Sequence, residues 1–211
     1  MTTLICPVIV TFVARQLRGL ENLLHEASHY NWSRKRRRLN NILAYTFAAV
    51  SVGARLSDYR KSHLRHHSRF GTIDDPDRLR YLELEIASLD RSSWLSFSVS
   101  ALRRLPAYQR GWLSVVRSTP AAGIAPVVWF MMTVSVPSWW WFGPVAGLIT
   151  TAEWLVAFPV ALPLVRFVAE SSEHVYEGTS TVFDATITNL GFLQRFMFHP
   201  HNDGYHTVHH L

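Results

Sequence analysis

Eleven histidines occur in this 211-residue chain, and their spacing is the feature most able to do chemistry. They stand at 25 and 29, at 63, 66 and 67, at 174, and at 199, 201, 206, 209 and 210, with none in the long apolar stretches between. His25-Glu26-Ala27-Ser28-His29 puts two imidazoles at i and i+4, on one helix face and close enough to ligate a common centre. Alone, it also matches the zinc-protease pattern, in which Glu26 would be the general base. His63-Leu64-Arg65-His66-His67 and His206-Thr207-Val208-His209-His210 then repeat the spacing H-x-x-H-H. With His25, His29 and His174 these clusters make nine candidate nitrogen ligands. A catalytic zinc takes three protein ligands and keeps one position open, so nine suit two metal ions. Imidazole-rich sites accept iron, copper, zinc or nickel, and ligand type alone does not name the metal. The single cysteine, Cys6, excludes an internal disulfide framework and a thiolate cluster.

The elements that must position these residues belong to a membrane protein. Hydrophobic residues make up 48% and charged ones 17%, and Ser118–Val165 holds 48 consecutive positions with one charge, Glu153. About 20 apolar residues suffice to cross the hydrocarbon. Residues 123–142 and 144–167 read as a hairpin of two spans, turning at Pro137, Gly143 and Pro144, with Trp139, Trp140 and Trp141 at the far interface. Glu153 inside the second span is a functional suspect or a helix-packing residue. Thr3–Ala14 is short for a crossing, so a first span over about 1–24 must continue through Arg15 towards His25. Residues 39–57 are apolar but flanked on both sides by basic runs, which predicts a re-entrant or interfacial helix. Residues 78–118, with Leu82, Ile86 and Leu89 at helical spacing, predict amphipathic surface helices, and 179–198 a further surface helix ending at His199-Pro200. Two crossings between the second and last clusters return all the histidines to one side. The fold class expected is an all-α integral membrane protein, one domain over 1–211, with a histidine-rich cap on the cytoplasmic face. Its net charge of +6 lies in clusters flanking the spans, as a cytoplasmic face would have it, which argues against nucleic acid as a partner. No cleavable signal peptide is evident.

The three histidine clusters resemble the boxes of the membrane-bound fatty-acid desaturase and hydroxylase superfamily, H-x-x-x-H, H-x-x-H-H and H-x-x-H-H. Gly71-Thr72-Ile73-Asp74-Asp75-Pro76-Asp77 resembles the G-T-x-x-D-P-D that follows the second box in many bacterial members. Glu173-His174 resembles the family's extra E-H ligand. The matching regions are about 15–82 and 166–211. The resemblance implies a cytoplasmic-face di-iron centre in a bacterial inner membrane, held by His25, His29, His63, His66, His67, His174, His206, His209 and His210. It implies an oxidoreductase of lipid metabolism and fatty acid biosynthesis, with O2 as co-substrate. A membrane lipid or acyl substrate would reach the irons through a tunnel, and an external donor such as a ferredoxin would supply electrons. Desaturation of a fatty acyl chain is the expected reaction, with hydroxylation of an acyl chain or hydrocarbon as the rival. A membrane zinc metalloprotease built on His25-Glu26-Ala27-Ser28-His29 and a non-catalytic metal-binding protein are the alternatives of other classes. Glu26, Asp58, Glu170, Glu173, Asn202 and Asp203 are candidates to hold ligand N–H groups. His201 is a further candidate, whereas His199 reads as a helix-end residue, and Asp74, Asp75 and Asp77 read as a turn around Pro76. Against the family pattern, the chain is expected to be short at both ends.

Overall fold

The computed structural model describes residues 6–179 and 181–210. It is all-α: among these residues no strand forms, only an isolated bridge pairing His174 with Thr186. Pro7, whose missing N–H costs nothing at a first helical position, opens α1 (Pro7–Ser28). The helix ends where Tyr30 turns to φ 63° and the amides of His29, Tyr30 and Asn31 fold back onto the carbonyls of Glu26 and Ala27. Residues 1–5 of the expected first span lie outside the described residues.

The next rod, α2, begins as Arg37–Ala44 and continues through π-helical Tyr45–Ala49 to Val50–Val52. Gly53 ends it at φ 68°, the left-handed conformation that favours glycine, with the Ala122 carbonyl pressed against the glycine's bare face. The following helix, α3 (Leu56–Arg69), turns back along α1. Both ends of this excursion meet the same carbonyl: Asn40 Nδ2, near the start of α2, donates to Ala27 O at 2.9 Å, and Arg60 Nη2 on α3 donates to it at 3.0 Å. Residues 37–60 therefore leave from and return to one end of α1. Alanines at 14, 27, 44, 48 and 49 are fully buried, and their small side chains let α1 and α2 approach closely around Leu17, Leu24 and Val52.

Asp75 caps α4 (Pro76–Glu83), accepting from the amides of Asp77 and Arg78. Ser93 caps α5 (Trp94–Ser118), the long amphipathic helix expected within 78–118. Two helices are long and apolar enough to cross a membrane, α6 (Pro120–Phe142) and α7 (Pro144–Glu170), close to the predicted 123–142 and 144–167. They form a hairpin in which Gly147 lies against the backbone of Trp139 and Ser135 Oγ meets Thr151 Oγ1 at 2.6 Å, the small-residue and hydroxyl contacts that join helices in lipid. Both contain a π-helical turn, Met131–Ser135 and Ala157–Ala161. Gln109 on α5 donates to the Pro159 carbonyl at the second of these, so a neighbouring helix satisfies the broken backbone.

Residues 179–198 do not form the single surface helix expected. Ser180 lies outside the described residues; the rest breaks into the short α8 (Val182–Ala185), an extended stretch at 186–190 and a π-helical turn, Gln194–Phe198. Thr186, Ile187 and Thr188 are β-branched and disfavour a helix. The extended stretch is held instead by Ile187 N to Glu173 O at 2.9 Å and Asn189 N to Gly204 O at 2.8 Å. The last helix, α9 (His206–His209), carries the final histidines.

The Gly53 joint sets how α3 returns, and it can be tested against Gly71, which also has positive φ but open space where a Cβ would stand. Gly71→Ala is expected to cost about 1 kcal/mol for the left-handed backbone alone. Gly53→Ala, whose Cβ would lie 2.3 Å from Ala122 O, is expected to cost at least about twice that, read as the lower unfolding midpoint in detergent.

Candidate metal centre

α1 ends with His25 and His29 on one face; α3 brings His63, His66 and His67; the chain leaving α7 supplies His174; and α9 supplies His206, with His209 and His210 at its end. All nine rings meet in one volume, and their Nε2 atoms converge. His25 reaches His209 at 2.7 Å, His29 reaches His63 at 2.7 Å, and His67 reaches His63 and His209 at 3.1 and 2.9 Å. Beside this group, His206 lies 3.0 Å from His174, and His66 lies 3.4 Å from His210. Two sets of potential ligands emerge, His25/His29/His63/His209 and His66/His174/His210, with His67 joining the first and His206 the second.

The donor set fits metal ions. A neutral imidazole has one N–H and one lone pair, so nitrogens with two or three ring-nitrogen neighbours cannot all be satisfied by hydrogen bonds to one another. Ligands about 2.0–2.1 Å from one ion lie about 3 Å apart, the spacing seen here. For the lone pair at Nε2 to face inward, the proton must sit on Nδ1 and find an acceptor there. His66 Nδ1 has Asp75 Oδ1 at 2.8 Å, in a pair almost wholly buried, at 1% and 0% side-chain exposure. His25 Nδ1 has Asp203 Oδ1 at 3.5 Å. The Nδ1 atom of His206 is buried without a partner among the described residues, and His174 is set against the Ala185 backbone.

Burial, and then the neighbouring imidazoles, push His29, His63, His67, His174, His206, His209 and His210 towards the neutral form. His63 and His206 are driven well below the ordinary histidine range, His67 to about 4, His174 to about 3, and His209 and His210 to about 2. On Asp75, burial opposes the charge, but His66 and the amides of Gly71 and Asp77 outweigh it and keep the carboxyl below its usual range. Asp203 is likewise opposed by burial and held far below that range by His199, His25 and Arg18.

The other candidates divide. Glu173 and Asp203 lie behind the rings, both on Arg18 Nη2, at 3.2 and 3.1 Å. Glu26 accepts from Asn31 Nδ2 at 2.7 Å, closing the end of α1 and holding no ring N–H. Asp58 is a correction: its side chain is 63% exposed and paired with Arg55, because its helix turns that face to solvent. Glu170 takes the Tyr108 hydroxyl at 3.0 Å and faces Arg80. Asn202 is exposed and accepts from Arg195, and His201, exposed at φ 60°, rests against Gly19, so neither reaches the rings. Three residues went unrecognised in the sequence. Asp75 is a turn residue as expected and a histidine acceptor as well. His199 is no mere helix end but is 1% exposed between Asp203 and Ser172. Arg18, at the heart of the carboxylates, was not among the candidates.

Asp75→Asn separates Asp75's two duties, since asparagine caps helices nearly as well but is a neutral, weaker acceptor for His66 Nδ1–H. Metal affinity of the purified protein is expected to fall about 10- to 100-fold with little change in helix content. The lowered histidine pKa values also fix a sign. Below the unfolded value near 6.5 the unfolded chain takes up protons that the folded one refuses until about 4 or lower. The metal-free protein's unfolding midpoint is expected to be level above about pH 7 and to drop as pH falls from about 6.5 towards 4. A profile flat down to pH about 4 would contradict neutral, buried rings.

A family model described as fatty acid desaturase matches residues 1–211. No curated protein and no solved structure matches the chain significantly. Because the family match runs the whole length, over the same three boxes whose rings converge here, the chain belongs to the fatty acid desaturase family, within the membrane fatty acid desaturase and hydroxylase superfamily of oxidoreductases.

Proposed function

We propose that this protein is an oxygen-dependent di-iron oxidoreductase that introduces a double bond into a fatty acyl chain in lipid metabolism. The observation that carries the reading is the convergence of nine imidazole Nε2 atoms into two adjoining ligand sets, in a chain whose whole length matches the family. The iron pair would be held by His25, His29, His63, His67 and His209 on one side and His66, His174, His206 and His210 on the other. What it supplies when bound is an oxidant, made from O2 and two external electrons, able to attack an unactivated C–H bond.

The protein's own residues do the rest. Asp75 and Asp203 hold the Nδ1 protons of His66 and His25, so the opposite nitrogens stay free for metal. Neutral rings leave the metals' positive charge undiminished. A cavity of about 400 Å³ meets the site at His63, His66, His174 and His206; Leu24, Val52, Trp112 and Val115 line one part of it, and Arg18, Glu21, Arg80, Arg166 and Glu170 line another. The apolar part suits a methylene chain, and the charged part suits a polar end of the substrate. The basic run Arg34–Arg38 is exposed, and it suits both a cytoplasmic orientation and an acidic electron donor such as a ferredoxin. The return of residues 37–60 to one end of α1 supports placing the first two boxes on the same side of the membrane. The protease alternative draws no support, since Glu26 is engaged by Asn31 and His29 shares its ligand set with His209 of the last box.

Metal content of the detergent-purified protein tests the reading, with iron and zinc determined together. About two irons per chain are expected, lost in a His206→Ala, His209→Ala double variant, together with an unsaturated product by mass spectrometry when acyl substrate, reductant and O2 are supplied. A single zinc that survives the double variant would overturn the proposal in favour of the protease. A hydroxylated product would keep the metal site and replace the reaction.

A further inference from the structure

The segment leading into the last histidine box exposes large apolar side chains that no described residue covers. Phe192 is 85% exposed, and Phe183, Leu190, Leu193 and Phe196 are each between 43% and 57%. The rings of Phe192 and Phe196 stack at 6.0 Å. Their height relative to the apolar hairpin follows from contacts along α1. Cys6 N donates to Glu153 at 2.7 Å and Glu21 pairs with Arg166, so α1 and α7 run side by side in the same direction. Between those two rungs Arg15 Nε donates to the Phe196 carbonyl at 2.9 Å. At about 1.5 Å per helical residue, Arg15 stands about level with Ala161, roughly 7 Å short of Arg166, where the apolar run of α7 ends. The exposed rings therefore sit within the length of a helix apolar enough to span a membrane, beside the exposed Val8 and Phe12 of α1.

We infer that residues 190–196 are seated in a phospholipid leaflet, at the boundary between acyl chains and headgroups, and hold the last histidine box at a fixed height above it. Arg15 lies over the Phe196 ring and Arg195 over the Tyr205 ring, so this segment pairs apolar rings with long basic side chains, whose stems can stay in lipid while their charges extend towards the headgroups. The coupling to the metal site is direct. Beyond Phe196 the chain follows α1 upward, with Arg18 Nε on Phe198 O at 3.3 Å and Asn22 Nδ2 on Pro200 O at 2.9 Å, to Asp203 and the final histidines. This goes beyond the proposed reaction and holds whether the enzyme desaturates or hydroxylates.

The test uses the full chain with its one cysteine replaced, Cys6→Ser, reconstituted in phosphatidylcholine–phosphatidylglycerol vesicles. Single cysteines at Phe192→Cys, Phe196→Cys, Leu148→Cys and Ile73→Cys carry an environment-sensitive fluorophore. Leu148 faces outward on α7, and Ile73 lies beside the exposed Arg65–Asp74 pair. Labels at 192 and 196 are expected to emit at shorter wavelength than the label at 73, to be quenched by lipid carrying a nitroxide near the top of its acyl chain, and to be quenched about five-fold less by iodide than the label at 73. Iodide quenching at 192 and 196 equal to that at 73 would overturn the inference. So would protection from both quenchers, which would mean that protein, such as a second copy of the chain, covers the patch. Quenching of the label at 148 by the same nitroxide lipid, with little quenching by iodide, keeps a failure here distinct from a failure of the spans.

Discussion

Much in this structure answers to one electrostatic constraint: nine imidazoles crowd into one volume with their ring nitrogens pointing at one another, and burial and mutual repulsion hold His29, His63, His67, His174, His206, His209 and His210 below the ordinary histidine range. Gathering them has a cost, because neutral rings with facing lone pairs repel until something accepts those lone pairs. The surrounding carboxylates make sense on this basis. They sit behind the rings at Nδ1, on Asp75 and Asp203, and each is anchored by groups that do not compete for the interior: the amides of Gly71 and Asp77 for Asp75, and Arg18 for Asp203.

α1 serves two environments within one helix. Its first turns carry Val8, Ile9 and Phe12 on an exposed face, while one helical length later Arg18, Glu21, Asn22 and His25 all point into the protein. A buried arginine is tolerable only when its charge and its donors are met, and Arg18 meets Glu21, Glu173, Asp203 and a backbone carbonyl. The same arginine joins the end of α7 to the segment before the last box, so it fixes the distance between two histidine-bearing parts that are remote in sequence. Here the polar half of α1 is less a membrane stop than a clamp.

What could be read in the sequence and what could not follow from range. The boxes were legible because a metal ligand pair repeats at helical spacing within five residues, and the hairpin of α6 and α7 was legible because lipid demands long uncharged runs. Asp75 was half legible: Asp before Pro marks a helix start by local chemistry, but nothing local says that the same carboxylate reaches His66 nine residues earlier. Arg18 gains its meaning only from Glu173 and Asp203, more than 150 residues away in the chain, and the burial of His199 against Glu173 likewise depends on a fold that periodicity does not report. Asp58 failed for the opposite reason, since a carboxylate one or two turns before a box looks well placed until the helix shows which face it occupies. The stretch at 179–198 misled because its apolar residues suggested an amphipathic helix, whereas Ala185 and Ile187 make the backbone bonds to Val175 and Glu173 that flank His174.

Those backbone bonds show why the irregular segment is needed. A helix through 186–190 would turn its amides inward on itself and leave the residues around His174 without partners. Extended, the same stretch gives Ile187 N to Glu173 O on one side of His174, accepts Val175 N at Ala185 O on the other, and binds Gly204 O through Asn189 N. One short ribbon thereby ties the end of α7 to the start of the last box. With α1 clamped at Arg18 and α3 latched by the Arg60 side chain to the carbonyls of Ala27 and Ser28, each group of ring-bearing residues is tied by bonds within the protein. The metals would then close a site whose geometry the protein has already set, so the cost of gathering the rings falls on folding rather than on metal binding.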